Sequence, residues 1–190
     1  MRTEKTAKAT KTAKTTKATN STKLNAAYGS NLSVSQMAYR CPEAKIVGTG
    51  KINDYKLVFR YHADIEKSVG SYVPVLVWEL TAADEKQLDR YEGVKGGYYH
   101  QEDVTVLMDD GSQKEVMVYI MNNQKTQSLP SPEYLEIIEE GYERFGFDKK
   151  ILKRALKEAE GRLSSKCNTM RVENLSWSFP SQALTGTVIK

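Results

Sequence analysis

The sequence predicts a mixed α/β protein whose strands form a mainly antiparallel or mixed sheet. β-Forming segments dominate residues 44–121, and three segments place apolar residues at helical spacing. The chain also lacks the regular strand–helix alternation of a doubly wound parallel sheet. We expect one folded domain at residues 24–160, with a tail at 1–23 and an extension of unknown role at 161–190.

The first predicted elements surround a short polar turn. Residues Leu24–Ala27 are expected to form a strand, and Tyr28–Leu32 follow it as a turn that contains glycine. Ser33–Tyr39 are expected to form a helical turn. Cys41-Pro42 ends it, because a proline disfavours helix in the residue before it.

The middle of the chain predicts strands. Ala44–Gly48 and Tyr55–Tyr61 are rich in β-forming residues, and Asn53-Asp54 are expected to form the turn between them. Tyr72–Leu80 is almost continuously apolar, which is typical of a strand buried on both faces.

A hairpin is expected further along. Val104–Met108 and Val116–Met121 are its two strands, and the sequence Asp109–Ser112 between them favours a tight turn.

Capping residues define the three predicted helices. The first runs over Ala82–Tyr91, with Thr81 as its N-cap and Gly93 just past its end. The second begins at Ser131-Pro132, and the third begins after Asp148. The expected apolar faces are Leu135, Ile138, Tyr142 and Phe145 in the second helix, and Ile151, Leu152, Ala155, Leu156 and Ala159 in the third.

The composition is that of a soluble globular protein, with 39% hydrophobic and 27% charged residues. No run of 18 apolar residues and no secretory signal is visible, so we expect a cytoplasmic protein without a membrane partner. Cys41 and Cys167 are too few for a disulfide framework. His62 and His100 lack zinc-ligand spacing, and no metal or cofactor is expected.

The basic charge is concentrated in the tail. Residues 1–23 carry seven basic residues and one acidic residue, a net charge of +6, whereas the whole chain has +4. The remainder is therefore about −2, which does not favour a nucleic-acid-binding domain. We expect a disordered tail that aids solubility; weak contact with phosphates and a mitochondrial presequence are the alternatives.

Glu92 is the strongest candidate for chemistry. It follows the first predicted helix, where the partial negative charge of the helix end disfavours a carboxylate. Apolar surroundings would raise its pKa in the same direction and suit it to move protons near neutral pH. A solvated glutamate at a helix end is the alternative interpretation.

Other candidates are weaker when taken alone. The turn Tyr28-Gly29-Ser30-Asn31 can direct backbone N–H groups at an anion, or can be an ordinary turn. Ser30 and Cys41 lack an activating base in the sequence, so a nucleophilic triad is not predicted. Five tyrosines near these segments could line a polar pocket or simply pack at a surface: Tyr91, Tyr98, Tyr99, Tyr119 and Tyr134.

Together these segments resemble the γ-glutamylcyclotransferase family, which includes AIG2-like proteins. The resemblance extends from about Ala26 to Arg144. It rests on five segments in order: Tyr28-Gly29-Ser30-Asn31-Leu32, Arg40-Cys41-Pro42, Val77-Trp78-Glu79-Leu80, Leu88-Asp89-Arg90-Tyr91-Glu92-Gly93-Val94 and Ser131-Pro132-Glu133-Tyr134.

The resemblance implies a small barrel-like mixed sheet with flanking helices. It also implies that Glu92 is the general acid/base of a γ-glutamylcyclotransferase, which releases 5-oxoproline and an amine or amino acid. The implied partner is a small γ-glutamyl compound, without metal or cofactor, and the protein would be a monomer or homodimer. The implied substrate-binding residues are Tyr28, Gly29, Ser30, Asn31, Leu32, Tyr99 (in preference to its neighbour Tyr98), Tyr119 and Tyr134.

Two alternatives belong to other functional classes. The first is a non-catalytic interaction module on the same fold, which uses the basic tail to dock. The second is a related γ-glutamyl acyl transfer or hydrolysis, in which water or another amine attacks the substrate.

Overall fold

A computed structural model of the protein describes residues 22–122 and 126–161. We number its strands β1–β5 and its helices α1–α4. Two short 3-10 turns, Ser30–Leu32 and Val94–Gly96, lie between them. The elements in chain order are β1 Lys23–Ala27, α1 Val34–Arg40, β2 Lys45–Arg60, β3 His62–Leu80, α2 Ala82–Tyr91, β4 Tyr99–Met108, β5 Gln113–Met121, α3 Pro132–Arg144 and α4 at 149–161.

The five strands close into a barrel in the order β1-β3-β2-β4-β5. Neighbouring strands are antiparallel except where β1 pairs with β5 in parallel, with Asn25 opposite Met117. The prediction of a mixed α/β fold with a barrel-like sheet and flanking helices is confirmed. The apolar segment of β3 is also buried as predicted, since Val73–Trp78 are all buried.

The predicted turn at Asn53-Asp54 is wrong. β2 continues through it with an irregularity in register, and Asp54 takes a positive φ of 59°. The Asp54 carboxylate accepts a hydrogen bond from the N–H of Gly70 at 2.8 Å, which stabilises this distortion inside the hairpin. The chain reverses instead at Tyr61, with φ 71°, and β3 begins at His62 rather than at Tyr72.

The ends of the domain differ slightly from the prediction. β1 begins at Lys23, one residue before the expected boundary, because Lys23 pairs with Leu80 of β3. The ammonium of Lys23 also contacts Glu85 and Gln101, each at 2.8 Å. Of the predicted tail at 1–23, residues 1–21 lie outside the described residues, and of the predicted extension at 161–190, residues 162–190 do. Within the described ranges, no helix has the length and apolar character needed to cross a membrane.

The helices begin where the capping residues predict. Thr81 and Asp84 form a reciprocal capping box on α2, and the Ser131 hydroxyl accepts the N–H of Tyr134 at the start of α3. Leu32, at the end of the first 3-10 turn, is fully buried against Gly141 of α3. This contact fixes the turn on the helix.

Replacing Gly141 with Ala is therefore expected to destabilise the fold. A Cβ atom at residue 141 would lie 2.6 Å from Cβ of Leu32, closer than van der Waals contact allows. Overpacking of this kind lowers the free energy of unfolding by about 1–3 kcal/mol, which a urea titration would measure. Glu140→Ala, at an exposed neighbouring position, is the control and should change it by less than about 0.5 kcal/mol. Equal stability of Gly141→Ala and wild type would contradict this packing.

Candidate active site

A cavity opens at the end of β1, beside the first 3-10 turn. It encloses about 330 Å³ of empty space, including its open mouth. Most of the predicted site residues meet here. Its lining consists of Ala26, Ala27, Tyr28, Gly29, Ser30, Asn31, Ala63, Glu92, Tyr99, Tyr119 and Tyr134.

The end of α2 delivers Glu92 to this cavity. The N–H of Glu92 donates to the carbonyl of Leu88 at 2.8 Å, and Gly93 then turns the chain with φ 64°. A Cβ atom on Gly93 would lie 2.8 Å from the ring of Tyr98, so this position needs glycine for both its φ and its space. Burial raises the pKa of the Glu92 carboxyl, while hydrogen bonding from Asn31 and the positive charge of Arg40 partly oppose that rise.

Arg40 and Asn31 fix one oxygen of this carboxyl group. The guanidinium of Arg40 donates to Oδ1 of Asn31 at 2.6 Å, which turns the amide nitrogen toward Glu92. That nitrogen donates to Oε1 of Glu92 at 2.8 Å. Arg40 is itself held by Gln36 and Tyr91, whose ring lies under the guanidinium. The arrangement leaves Oε2 of Glu92 as the oxygen not bound by Asn31.

Replacing Arg40 with Gln is expected to raise the pKa of Glu92 further. The substitution removes a cation that favours the carboxylate form. A ¹³C NMR titration of the glutamate carboxyl groups would measure the shift, with Glu92→Gln to assign the resonance. Arg90→Gln removes an exposed cation two residues from Glu92 and is the matched control. If both variants shifted the pKa of Glu92 equally, the result would contradict a specific effect of Arg40 through the hydrogen bonds of Asn31.

Two tyrosines of the lining, Tyr134 and Tyr99, form hydrogen bonds with the backbone of Ala63. The Tyr134 hydroxyl accepts the N–H of Ala63 at 3.2 Å and also accepts the N–H of Ser30. The Tyr99 hydroxyl donates to the Ala63 carbonyl at 3.2 Å. Burial raises the pKa of Tyr134 to about 12, so its hydroxyl keeps its proton at neutral pH. With its lone pairs occupied by N–H donors, Tyr134 can direct that proton elsewhere in the cavity.

The hydroxyl groups of the other two lining tyrosines, Tyr28 and Tyr119, donate hydrogen bonds within the protein. Tyr28 donates to the carbonyl of Tyr119 at 2.6 Å, and Tyr119 donates to Asp89 at 2.7 Å. Gln101 donates to the same oxygen of Asp89 at 2.7 Å. These bonds fix the rings of Tyr28 and Tyr119 as walls of the cavity.

One predicted substrate-binding residue lies elsewhere. Leu32 is absent from the cavity lining; its side chain packs against α3, and its N–H donates to the carbonyl of Gly29 at 3.0 Å. Leu32 therefore anchors the turn, and its side chain lies away from this cavity. Tyr99 lines the cavity, whereas Tyr98 is 72% exposed outside it.

The structure also adds residues that the sequence did not assign to a site. Arg40 reaches Glu92 only through Asn31, a tertiary contact that local sequence does not reveal. Ala63 lies in a part of β3 that was not predicted as strand. Cys41 is buried, and burial raises the pKa of its thiol to about 11, so it is not a thiolate at neutral pH. In the described part of the chain, no three His, Cys, Asp or Glu side chains form a metal-binding group.

Comparison with known proteins supports the resemblance seen in the sequence. Residues 72–153 match the model of the AIG2-like family. A bovine γ-glutamylcyclotransferase is 33% identical over 124 residues, which cover 59% of this chain and 65% of the relative. The chain thus aligns with slightly less than two thirds of that relative.

Solved structures share the fold. A structure named as a γ-glutamyl cyclotransferase aligns with a TM-score of 0.63 at 27% identity, covering 90% of this chain and 95% of the other. The crystal structure of an uncharacterized human protein aligns with a TM-score of 0.64 at 29% identity, covering 70% and 86% of the two chains.

Proposed function

We propose that this chain cyclises the γ-glutamyl group of a small substrate to 5-oxoproline and releases an amine, because residues 72–153 match the AIG2-like family model and the fold aligns with that of a γ-glutamyl cyclotransferase. The observation that carries this proposal is the position of Glu92. Its carboxyl group lines the same small cavity as the turn Tyr28–Asn31, and Asn31 holds one of its oxygens at 2.8 Å.

Glu92 first acts as a base. The α-amino group of the substrate is an ammonium at neutral pH and has no lone pair for attack. Oε2 of Glu92 takes a proton from it, while Oε1 stays bound to Asn31. A carboxyl group whose pKa is raised by burial is a stronger base than an exposed one, which suits this transfer.

The free amine then attacks the γ-carbonyl carbon of the same molecule. A C–N bond forms, a five-membered ring closes, and the carbonyl oxygen becomes an oxyanion. We assign its stabilisation to the Tyr134 hydroxyl and to the N–H groups of Gly29 and Asn31 in the turn. Because nucleophile and carbonyl belong to one molecule, the substrate supplies much of the entropic advantage of the reaction.

Collapse of the intermediate completes the reaction. The oxyanion re-forms its carbonyl, and the bond to the leaving nitrogen breaks. Protonated Glu92 donates its proton to that nitrogen, which leaves as an amine. The carboxylate is thereby regenerated. The ring nitrogen, which still carries two hydrogens after the attack, loses one proton to solvent, and the products are 5-oxoproline and the free amine, with no covalent enzyme intermediate.

The proposal is tested with a panel of γ-glutamyl dipeptides and γ-glutamyl amines, with α-glutamyl dipeptides as controls. We expect 5-oxoproline and free amine in equal amounts from γ-glutamyl compounds, and no turnover of α-glutamyl ones. Mass spectrometry distinguishes the products. Free glutamate in place of 5-oxoproline would indicate hydrolysis, and the absence of any product would favour a non-catalytic module; either result contradicts the proposal.

A further inference from the structure

A second, larger cavity lies beside the first. It encloses about 1000 Å³ of empty space, including its open mouth. The two cavities share Tyr99 as a wall. The His62 ring, which lines the second cavity, packs edge-on against Tyr134 of the first cavity, with ring centroids 5.0 Å apart. The second cavity is therefore adjacent to the proposed active site.

Aromatic side chains dominate this second cavity. Tyr61, His62, Tyr98 and Tyr99 line it together with the Met121 thioether. Among the described residues of its lining, Arg60 alone carries a full charge, and its guanidinium is 5% exposed and bound to acidic side chains of β3. Burial lowers the pKa of His62, which favours its neutral form. The wall thus offers neutral rings to a ligand.

Two of these rings are exposed, and each lies on a backbone segment held by a hydrogen bond. Tyr61 is 59% exposed at the tip of the β2–β3 hairpin, where its N–H donates to the carbonyl of Ser128. Tyr98 is 72% exposed, and its N–H donates to the carbonyl of Gly93 at 3.2 Å. A tyrosine side chain has only two rotatable χ angles, so it loses little conformational entropy when a ligand packs on its ring.

We propose that the second cavity binds the leaving amine of the γ-glutamyl substrate and favours amines that carry an aromatic side chain. This inference rests on the proposed function. With the γ-glutamyl group held between Glu92 and Tyr134, the remainder of the substrate must extend beyond the small first cavity. Tyr99 borders both cavities, so a group that extends past Tyr99 would enter the tyrosine-lined space, where ring-on-ring contact stabilises an aromatic group more than a methyl group.

The test compares γ-glutamyl-phenylalanine with γ-glutamyl-alanine, which differ by one phenyl ring. The measured quantity is the ratio of their kcat/KM values, from release of 5-oxoproline. We expect wild type to prefer the phenylalanine compound. Tyr98→Ala and Tyr61→Ala should each lower the ratio roughly five- to tenfold, with γ-glutamyl-alanine turned over at nearly the wild-type rate. Tyr98→Phe retains the ring and should retain the ratio.

Tyr39→Ala is the matched control, since Tyr39 is an exposed tyrosine on α1 that lines neither cavity. The inference is overturned if both alanine variants of the second cavity keep the wild-type ratio, or if Tyr39→Ala lowers it instead. In either case, continued release of 5-oxoproline would leave the proposed function standing. If wild type releases none from either compound, the function and this inference fall together.

Discussion

Replacing Glu92 with Gln is expected to reduce the release of 5-oxoproline by about 10²- to 10⁴-fold, the range associated with loss of a general acid or base. The amide oxygen of glutamine can still accept the hydrogen bond of Asn31, so the geometry of the cavity should persist. The amide can neither take the proton of the substrate ammonium nor return it to the leaving nitrogen. Initial rates with γ-glutamyl-alanine would measure the loss.

The same variant should not be less stable than wild type at neutral pH. The pKa of Glu92 is raised above its ordinary value of 4.5, so folding favours its protonated form. Protonated Glu92 therefore stabilises the folded protein at pH values below the unfolded-state pKa, and this stabilisation is lost as the pH rises through the folded-state pKa. Above the folded-state pKa, wild type therefore carries a buried charge that the glutamine variant lacks.

Thermal melts across pH would show this difference. We expect the Tm of Glu92→Gln to equal or exceed that of wild type at pH 7, with the gap closing as the pH falls. Glu140→Gln, at an exposed position of α3, is the control for loss of one negative charge. Full activity in Glu92→Gln, or a collapse of its Tm, would refute the role assigned to this carboxyl group.

Replacing Tyr134 with Phe is expected to lower kcat by about 10²- to 10³-fold, as found when one oxyanion donor is removed. The phenolic oxygen accepts the N–H groups of Ala63 and Ser30, so its own proton is available to the developing negative charge. That interaction strengthens in the transition state, so kcat should fall more than KM rises.

Tyr142→Phe is a close control for this experiment. Tyr142 lies on the same helix, and its buried hydroxyl has no hydrogen-bond partner within the described residues. We expect wild-type kcat, with stability unchanged or higher, because an unsatisfied buried hydroxyl is removed. Equal activity in the two phenylalanine variants would exclude Tyr134 as an oxyanion donor.

The sequence predicted features that local chemistry determines. Thr81 and Ser131 cap the helices that it placed, and the run Tyr72–Leu80 lies in β3 with Val73–Trp78 buried. It also placed Glu92 at the end of α2, because a helix followed by glycine defines that position locally.

Features that depend on distant contacts were missed or misread. The Asp54 distortion resembles a turn in sequence, yet pairing with β3 carries the strand through it. Leu32 belongs to the polar motif, but Gly141, more than a hundred residues later, draws its side chain away from the cavity. The orientation of Asn31 depends on Arg40, which lies beyond the same turn. None of these pairings has a local signature.

We expect the protonation state of the Glu92 carboxyl group to govern turnover. A pH series of kcat/KM tests this directly. The acidic limb of kcat/KM reports the pKa of the essential base in the free enzyme. We predict that it coincides with the Glu92 pKa measured by ¹³C NMR on the free protein, above the ordinary 4.5. A Glu92 pKa at or below 4.5, or an acidic limb of kcat/KM whose midpoint differs from the Glu92 pKa, would contradict the role of Glu92 as the base.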